Sequence, residues 1–206
     1  MTDHPTRDDR SELKTTEPSD FHRPLHSDGP ALERAEGSTE TPSGSNRPRS
    51  LVLHPIGVIR TPFHRPEGVP IQPAYSRNVT GRVILDPHLE PGLADLEGFE
   101  RIWLIYWLDR AKPYRLEVIP YRDTRPHGLF ATRAPARPNP LGLSLVRLVG
   151  RDGSVLHIEE VDVLDGTPLL DIKPYVPAFD ARPESAAGWF AAARGGRSHA
   201  DGRFHR

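Results

Sequence analysis

Arg101 to Leu108 reads RIWLIYWL, a run in which nearly every side chain is apolar and Trp103 and Trp107 stand four residues apart. A strand buried on both faces accounts for such a run, and a subunit contact on one face is the second explanation. Working outward, short β-branched or aromatic runs recur at Ile56 to Arg60, Val79 to Leu85, Leu116 to Pro120, Leu143 to Val149, Val155 to Glu159 and Val161 to Leu164. Clusters of Gly, Pro, Asn or Asp separate most of them at the spacing of all-β domains, which favours a barrel or sandwich. One helical candidate interrupts the pattern at Pro91 to Phe99, where Leu93, Leu96 and Phe99 fall on one face. Strands do not alternate with long helices and no G-x-G-x-x-G is present, which argues against a doubly wound nucleotide fold. The expected architecture is all-β: a β-barrel of short strands with one short helix.

The chain has 206 residues and a net charge of -1, enough for one ordinary domain with sequence to spare. Residues 1–50 hold few large apolar side chains beyond Leu13, Phe21, Leu25 and Leu32, and read as a disordered N-terminal tail. No apolar stretch follows Met1, and Asp3, Asp8, Asp9 and Glu12 argue against an organelle presequence. The barrel domain is expected over 51–180. In the remaining 181–206, Trp189 and Phe190 are expected to dock a short helix ending near Ala193, after which the chain frays. The absence of cysteine excludes disulfides and thiolate metal sites and fits a cytoplasmic protein. No apolar run is long enough to cross a bilayer, so no membrane association is expected.

Phe130 to Ser144, FATRAPARPNPLGLS, cannot be helical, because Pro135, Pro138 and Pro140 remove donors and fix φ. A stiff loop carrying Arg133 and Arg137 suits recognition of phosphate or carboxylate, with Asn139 as a neutral donor and acceptor beside them. Further on, DGTPLLDIKPY opens with a turn at Asp165, Gly166 and Thr167. It continues as a strand in which Asp171, Lys173 and Tyr175 alternate at a period of two and share one face. An acid, an amine and a phenol on one side of a strand can place a proton acceptor and its counter-charge around one atom; an ion pair beside a half-buried tyrosine is the structural alternative. Bases dominate from Arg110 to Arg151, and acids from Glu159 to Asp171. That imbalance suits a polyanion on one zone and a cation on the other, if it survives folding. His54, His64, His88, His127 and His157 lack the spacing of a metal site, so no metal is expected.

Taken in order, IGVIRTPF (56–63), QP (72–73), GLADLEGFERIWLIYWL (92–108), GLFATRAPARPNPLGLS (128–144) and DVLDGTPLLDIKPYVP (162–177) make the chain resemble the TsaA or TrmO-like family over about residues 54 to 180. These are S-adenosylmethionine-dependent tRNA methyltransferases with a β-barrel fold. The resemblance implies methylation of the exocyclic N6 nitrogen of threonylcarbamoyladenosine beside the tRNA anticodon, and a homodimer with the cofactor, S-adenosyl-L-methionine, near the interface. It implies cofactor contacts at Ile71, Gln72, Pro73, Asp109, Arg110, Arg133, Leu143, Glu159, Glu160, Val161 and Asp162. Relatives often carry Arg where Ile71 stands and His where Asp109 stands. The attacked nitrogen must lose a proton, and Asp165, Asp171, Lys173 and Tyr175 are the candidate catalytic residues. Arg137 and Asn139 are assigned to the substrate, because the cofactor carries no phosphate. The chain resembles the short form of the family, which lacks an additional C-terminal region. Two alternatives stay open: a methyltransferase of a small molecule, and a cofactor- or RNA-binding module without turnover.

Overall fold

The computed structural model describes residues 51–193 and 196–204; the expectation of a disordered tail over 1–50 lies outside them. Six antiparallel strands close into a barrel in the order β1 (Gly57–Arg60), β2 (Thr80–Leu85), β7 (Val155–Glu159), β6 (Leu141–Asp152), β3 (Arg101–Trp107), β8 (Thr167–Pro174). Strand β8 pairs with β1 as well as β3, so the sheet has no free edge. A two-stranded sheet of β4 (Glu117–Val118) and β5 (His127–Gly128) stands beside it. Among the described residues a single α-helix, α1 (Pro177–Asp180), follows the barrel.

Alternation decides which side chains fill the interior. In β3, Ile102, Leu104 and Tyr106 are buried, while Trp103 and Ile105 are half-buried and Trp107 is exposed on the outer face. RIWLIYWL is therefore a strand with one core face and one apolar, partly exposed outer face, not a strand buried on both faces. Ile59, Val83, Val146, Leu156, Ile158 and Leu169 meet the inner residues of β3 in one core. Burial of such side chains contributes roughly 1.5–3 kcal/mol each and is the main stabilising term.

Three local expectations are corrected. Pro91 to Phe99 forms no α-helix: two 3-10 segments, Pro87–Leu93 and Leu96–Gly98, flank Asp95, whose φ of 66° is left-handed and interrupts any helix. Val161 to Leu164 is not a strand, although Val161 and Val163 are buried as plugs of the core. The stiff loop ends earlier than proposed, because β6 begins at Leu141 and runs for 12 residues.

Gly142 is required by packing. It lies opposite Tyr106, and a Cβ there would stand 2.0 Å from the Tyr106 ring. Gly142→Ala is expected to destabilise the protein by about 1–3 kcal/mol. The check is a lower denaturant midpoint with an unchanged slope.

Candidate functional site

Beyond β7 the chain turns sharply. Glu160 takes a left-handed φ of 64°, which costs on the order of 1–2 kcal/mol. It is held there by its N–H, which donates to the Val79 carbonyl at 2.9 Å, and by Arg101, which donates to both of its carboxylate oxygens at 2.7 and 3.2 Å. The hydrogen bonds from Arg101 also hold the Glu160 carboxyl below its ordinary pKa. Val161 then plugs the core, and Asp162 follows at the barrel end.

Ser144 Oγ donates to Asp162 Oδ1 at 2.6 Å and is itself 2.9 Å from the Tyr106 hydroxyl. With the serine proton committed to Asp162, the tyrosine donates to Ser144. Ser144 and Tyr106 are buried inside the barrel. Asp162 keeps some accessible surface as a residue, but loss of water around its carboxyl pushes the pKa up from 3.8 to about 7. The Ser144 hydrogen bond and the nearby Arg133 charge oppose that shift without cancelling it. Burial likewise raises the Tyr106 phenol well above its usual range, so it acts as a neutral donor.

Arg133 leaves the proline-rich loop and donates to the Gln72 side-chain oxygen, while Gln72 Nε2 donates to the Ile71 carbonyl at 2.6 Å. Pro73 opens the 3-10 turn Pro73–Tyr75. The structure thus brings Gln72, Arg133 and Asp162 into one neighbourhood, with Ile71 and Pro73 as its backbone. Arg137 is half-buried: one guanidinium nitrogen donates to the Thr132 carbonyl at 3.0 Å, and the group lies 5.5 Å from the Phe130 ring centre. It shapes the loop and leaves its other nitrogens uncommitted. Asn139 is exposed, its carbonyl accepting from Leu141 N–H at 2.8 Å.

Asp165 lies at the turn before β8. Its carboxylate accepts from Thr61 N–H at 3.1 Å and sits 3.5 Å from Arg60 and 3.6 Å from His64. Arg110, 3.7 Å from Asp109, donates to the Asp165 carbonyl and so ties the end of β3 to this turn. Gly166 has a φ of 77°, a backbone conformation in which any other side chain would be strained, and both arginines lie 3.6 Å from where its Cβ would be. Asp171 and Lys173 do share the outer face, where they form an ion pair of 2.8 Å, and Tyr175 meets Trp103 edge-on at 6.0 Å. Asp171 lies four residues into β8, about 13 Å along the strand from its start at Thr167, beyond the turn that carries Asp165. Leu143 also faces outward, 54% exposed and opposite Ile105, whereas its neighbour Ser144 faces in.

Charge segregation along the sequence does not survive in space. Glu159 pairs with Arg147, Glu160 with Arg101, and Arg151 with Glu97 and Glu90. Among the described residues no group of three potential metal ligands occurs, and no helix is long and apolar enough to span a membrane.

The C-terminal segment, expected to fray after Ala193, is bonded to both loops of the site. Ile71 and Gly68 N–H groups donate to Ser198 and Ala200 carbonyls at 2.9 and 3.0 Å, and Ala200 N–H returns to Val69 at 2.7 Å. Trp189 stacks on His127 at 4.4 Å and donates to the Ala131 carbonyl at 2.8 Å, two residues before Arg133. Arg122 lies between the Tyr75 and Phe190 rings, at 5.9 and 5.6 Å. The segment is a strap across the loops that present Gln72 and Arg133. Sequence reading missed the strap's pairing, and it missed Ser144 and Tyr106. The available signal for the latter pair was the inward register shared by Tyr106, Ile102 and Leu104, facing a glycine and a serine two positions apart.

The tRNA-methyltransferase O N-terminal domain profile matches residues 58–181. A probable S-adenosyl-L-methionine-binding protein of Pyrococcus abyssi is 53% identical over 142 residues, 69% of this chain and 77% of that one. The tRNA (adenine(37)-N6)-methyltransferase of Escherichia coli is 32% identical over 68% of this chain and 64% of its own. A crystal structure of TrmO from Pseudomonas aeruginosa matches with a TM-score of 0.58 and 36% identity, covering 68% of this chain and 62% of that one. The chain therefore spans less than two thirds of the last two proteins.

Between about pH 4 and 7 the folded protein keeps a proton on Asp162 that the unfolded chain has released, so this group's contribution to stability falls as pH rises through that window. Asp162→Asn keeps the acceptor for Ser144 and removes the titration. The variant is expected to melt like the wild type near pH 4 and above it at pH 7.5, by a difference on the order of 2 kcal/mol. Thermal unfolding against pH is the measurement.

Proposed function

The chain belongs to the tRNA-methyltransferase O family through its N-terminal domain, and on that premise we propose that it is an S-adenosylmethionine-dependent tRNA methyltransferase whose acceptor is the N6 nitrogen of threonylcarbamoyladenosine beside the anticodon. The observation that carries the reading is the Asp162 carboxyl, kept from water and close to the Arg133–Gln72 pair. A donor bearing a sulfonium, an ammonium and a carboxylate matches that set, since a carboxyl poised near neutrality gains from a neighbouring cation and a guanidinium from a carboxylate.

The donor supplies a methyl group made electrophilic by its attachment to a positively charged sulfur. Arg133 grips the donor's carboxylate, Gln72 presents its amide to the adenine, and the run Glu159, Glu160, Val161, Asp162 carries the counter-charge. Ile71, Pro73 and Asp109 contribute through the main chain, and Arg110 keeps the Asp165 turn against the end of β3. Asp165 is the proton acceptor we assign, because it lines a cavity of about 620 Å³ and stands three residues from Asp162. The uncommitted nitrogens of Arg137 and the exposed amide of Asn139 face the substrate. Asp171, Lys173 and Tyr175, together on the outer face, bear on the reaction through the dimer described next.

Trp107 and Leu141 are opposite one another on that face and 45% exposed, and Leu143 is beside them. Such a stripe on a barrel wall is suited to a second copy of the chain. Leu143 and Ser144 point to opposite sides of one strand, so Leu143 meets the donor only across a homodimer interface. Leu143→Asp is expected to convert a dimer to a monomer in light scattering while thermal unfolding of the barrel persists.

A second reading, a donor-binding module without turnover, is favoured by the name of the Pyrococcus abyssi protein, which specifies binding alone. Single-turnover transfer to tRNA separates the two, and nucleoside mass spectrometry of tRNA from cells with and without the gene tests the acceptor. Unchanged methylated threonylcarbamoyladenosine overturns it. Calorimetry of donor binding near pH 7, in buffers of different ionisation enthalpy, is expected to show release of a fraction of a proton, lost in Asp162→Asn.

A further inference from the structure

Two places in the barrel set cations directly opposite one another, and the fold treats them differently. On β3 and β6, Arg101 faces Arg147. Like charges directly opposite in a sheet are destabilising. Here each arginine has its own carboxylate, Glu160 for Arg101 and Glu159 for Arg147. On the other side of the barrel, Arg60 of β1 faces Arg82 of β2, and Arg82 faces His157 of β7. The buried neighbours Ile59, Val83, Leu156 and Ile158 force all three side chains outward, and all three are exposed. Directly opposite residues of antiparallel strands are about 4.5–5.5 Å apart at Cα, so the two arginines and the histidine form one compact rung.

One carboxylate serves this rung. Asp165 lies 3.5 Å from Arg60 and shares itself with His64 and Thr61. Arg82 makes no ion pair and no side-chain hydrogen bond among the described residues, and neither does His157. The rung lines the cavity of about 620 Å³ together with Thr80, Val149, Asp165 and Glu159, whose carboxylate is paired with Arg147. A register shift in β6 between Leu148 and Gly150 leaves Val149 unpaired and 52% exposed beside His157, which walls one side of that opening. A basic row on a concave surface, in which Arg60 has a carboxylate partner and Arg82 has none among the described residues, is an arrangement that an external chain of oxyanions neutralises.

We propose that the outer face of β1, β2 and β7 is a phosphodiester-binding surface, on which Arg60, Arg82 and His157 hold the backbone of the acceptor RNA. This deepens the tRNA methyltransferase reading and rests on it. The cavity reaches Asp165, so RNA held on the rung is led toward the turn that carries the proposed proton acceptor.

Arg82 is the residue to change, because its side chain makes no hydrogen bond or ion pair among the described residues and its loss leaves the partners of Asp165 in place. Binding of a tRNA transcript is measured by fluorescence anisotropy from about 50 to 300 mM salt for the wild type, Arg82→Ala and Arg82→Lys, with donor affinity and thermal unfolding measured in parallel. Arg82→Ala is expected to weaken tRNA binding on the order of fivefold near 0.1 M salt and to reduce the slope of log K against log salt by about 0.7–0.9. Arg82→Lys is expected to restore the slope. Donor affinity stays constant and the melting temperature does not fall, since removing Arg82 relieves repulsion. Equal affinity and slope in wild type and Arg82→Ala overturn this inference alone. Weaker binding with an unchanged slope also overturns it, because the loss is then not a phosphate contact. Wild-type protein that binds donor and no tRNA overturns the RNA acceptor and this surface together.

Discussion

Strand β8 bonds to β1 along one edge and to β3 along the other, and the chemistry of the molecule hangs from that double pairing. Closure removes every free edge of the barrel and makes inside and outside unambiguous for each residue. It also anchors the turn before β8, so that Asp165 meets Arg60 of β1 and the Arg110 side chain beyond β3 in one place. The Tyr106, Ser144 and Asp162 chain depends on the same enclosure, for the carboxyl is raised by absence of water and not by a neighbouring negative charge.

That enclosure explains why much of the fold was legible in the sequence and less of the site. Short β-branched or aromatic runs and the turn residues between them follow from the geometry of a strand, and they located β1, β2, β3, β6 and β7 to within a few residues. The reading failed where hydrophobicity had a different cause. Val161 and Val163 are apolar because they plug the end of the barrel, so a run that looks like a strand is an irregular cap. Leu93 and Leu96 face the core from 3-10 turns, where spacing alone does not distinguish them from an α-helix.

At the site, the residue types were legible and their partners were not. Arg133 and Gln72 were named from motifs 61 positions apart, and the structure joins them through a hydrogen bond. Ser144 and Tyr106 were passed over because a hydroxyl in a barrel strand looks unremarkable until its register is known. The apparent split between a basic and an acidic zone dissolved for the same reason: cross-strand register set Glu159 beside Arg147, and the turn at Glu160 set that residue beside Arg101.

The strap formed by Trp189 and the residues around His199 lies beyond position 181, where the match to the family domain ends, yet it bonds to both loops of the site. Arg203 adds a hydrogen bond to the Pro120 carbonyl at 3.0 Å, and Phe204 packs on Tyr121 at 5.2 Å. An expression vector designed on the domain boundary would discard these contacts, and an affinity tag fused behind Phe204 would pull on them. Preparations that look equally pure could then differ in ligand affinity for reasons of cloning alone, which makes an N-terminal fusion the sounder choice.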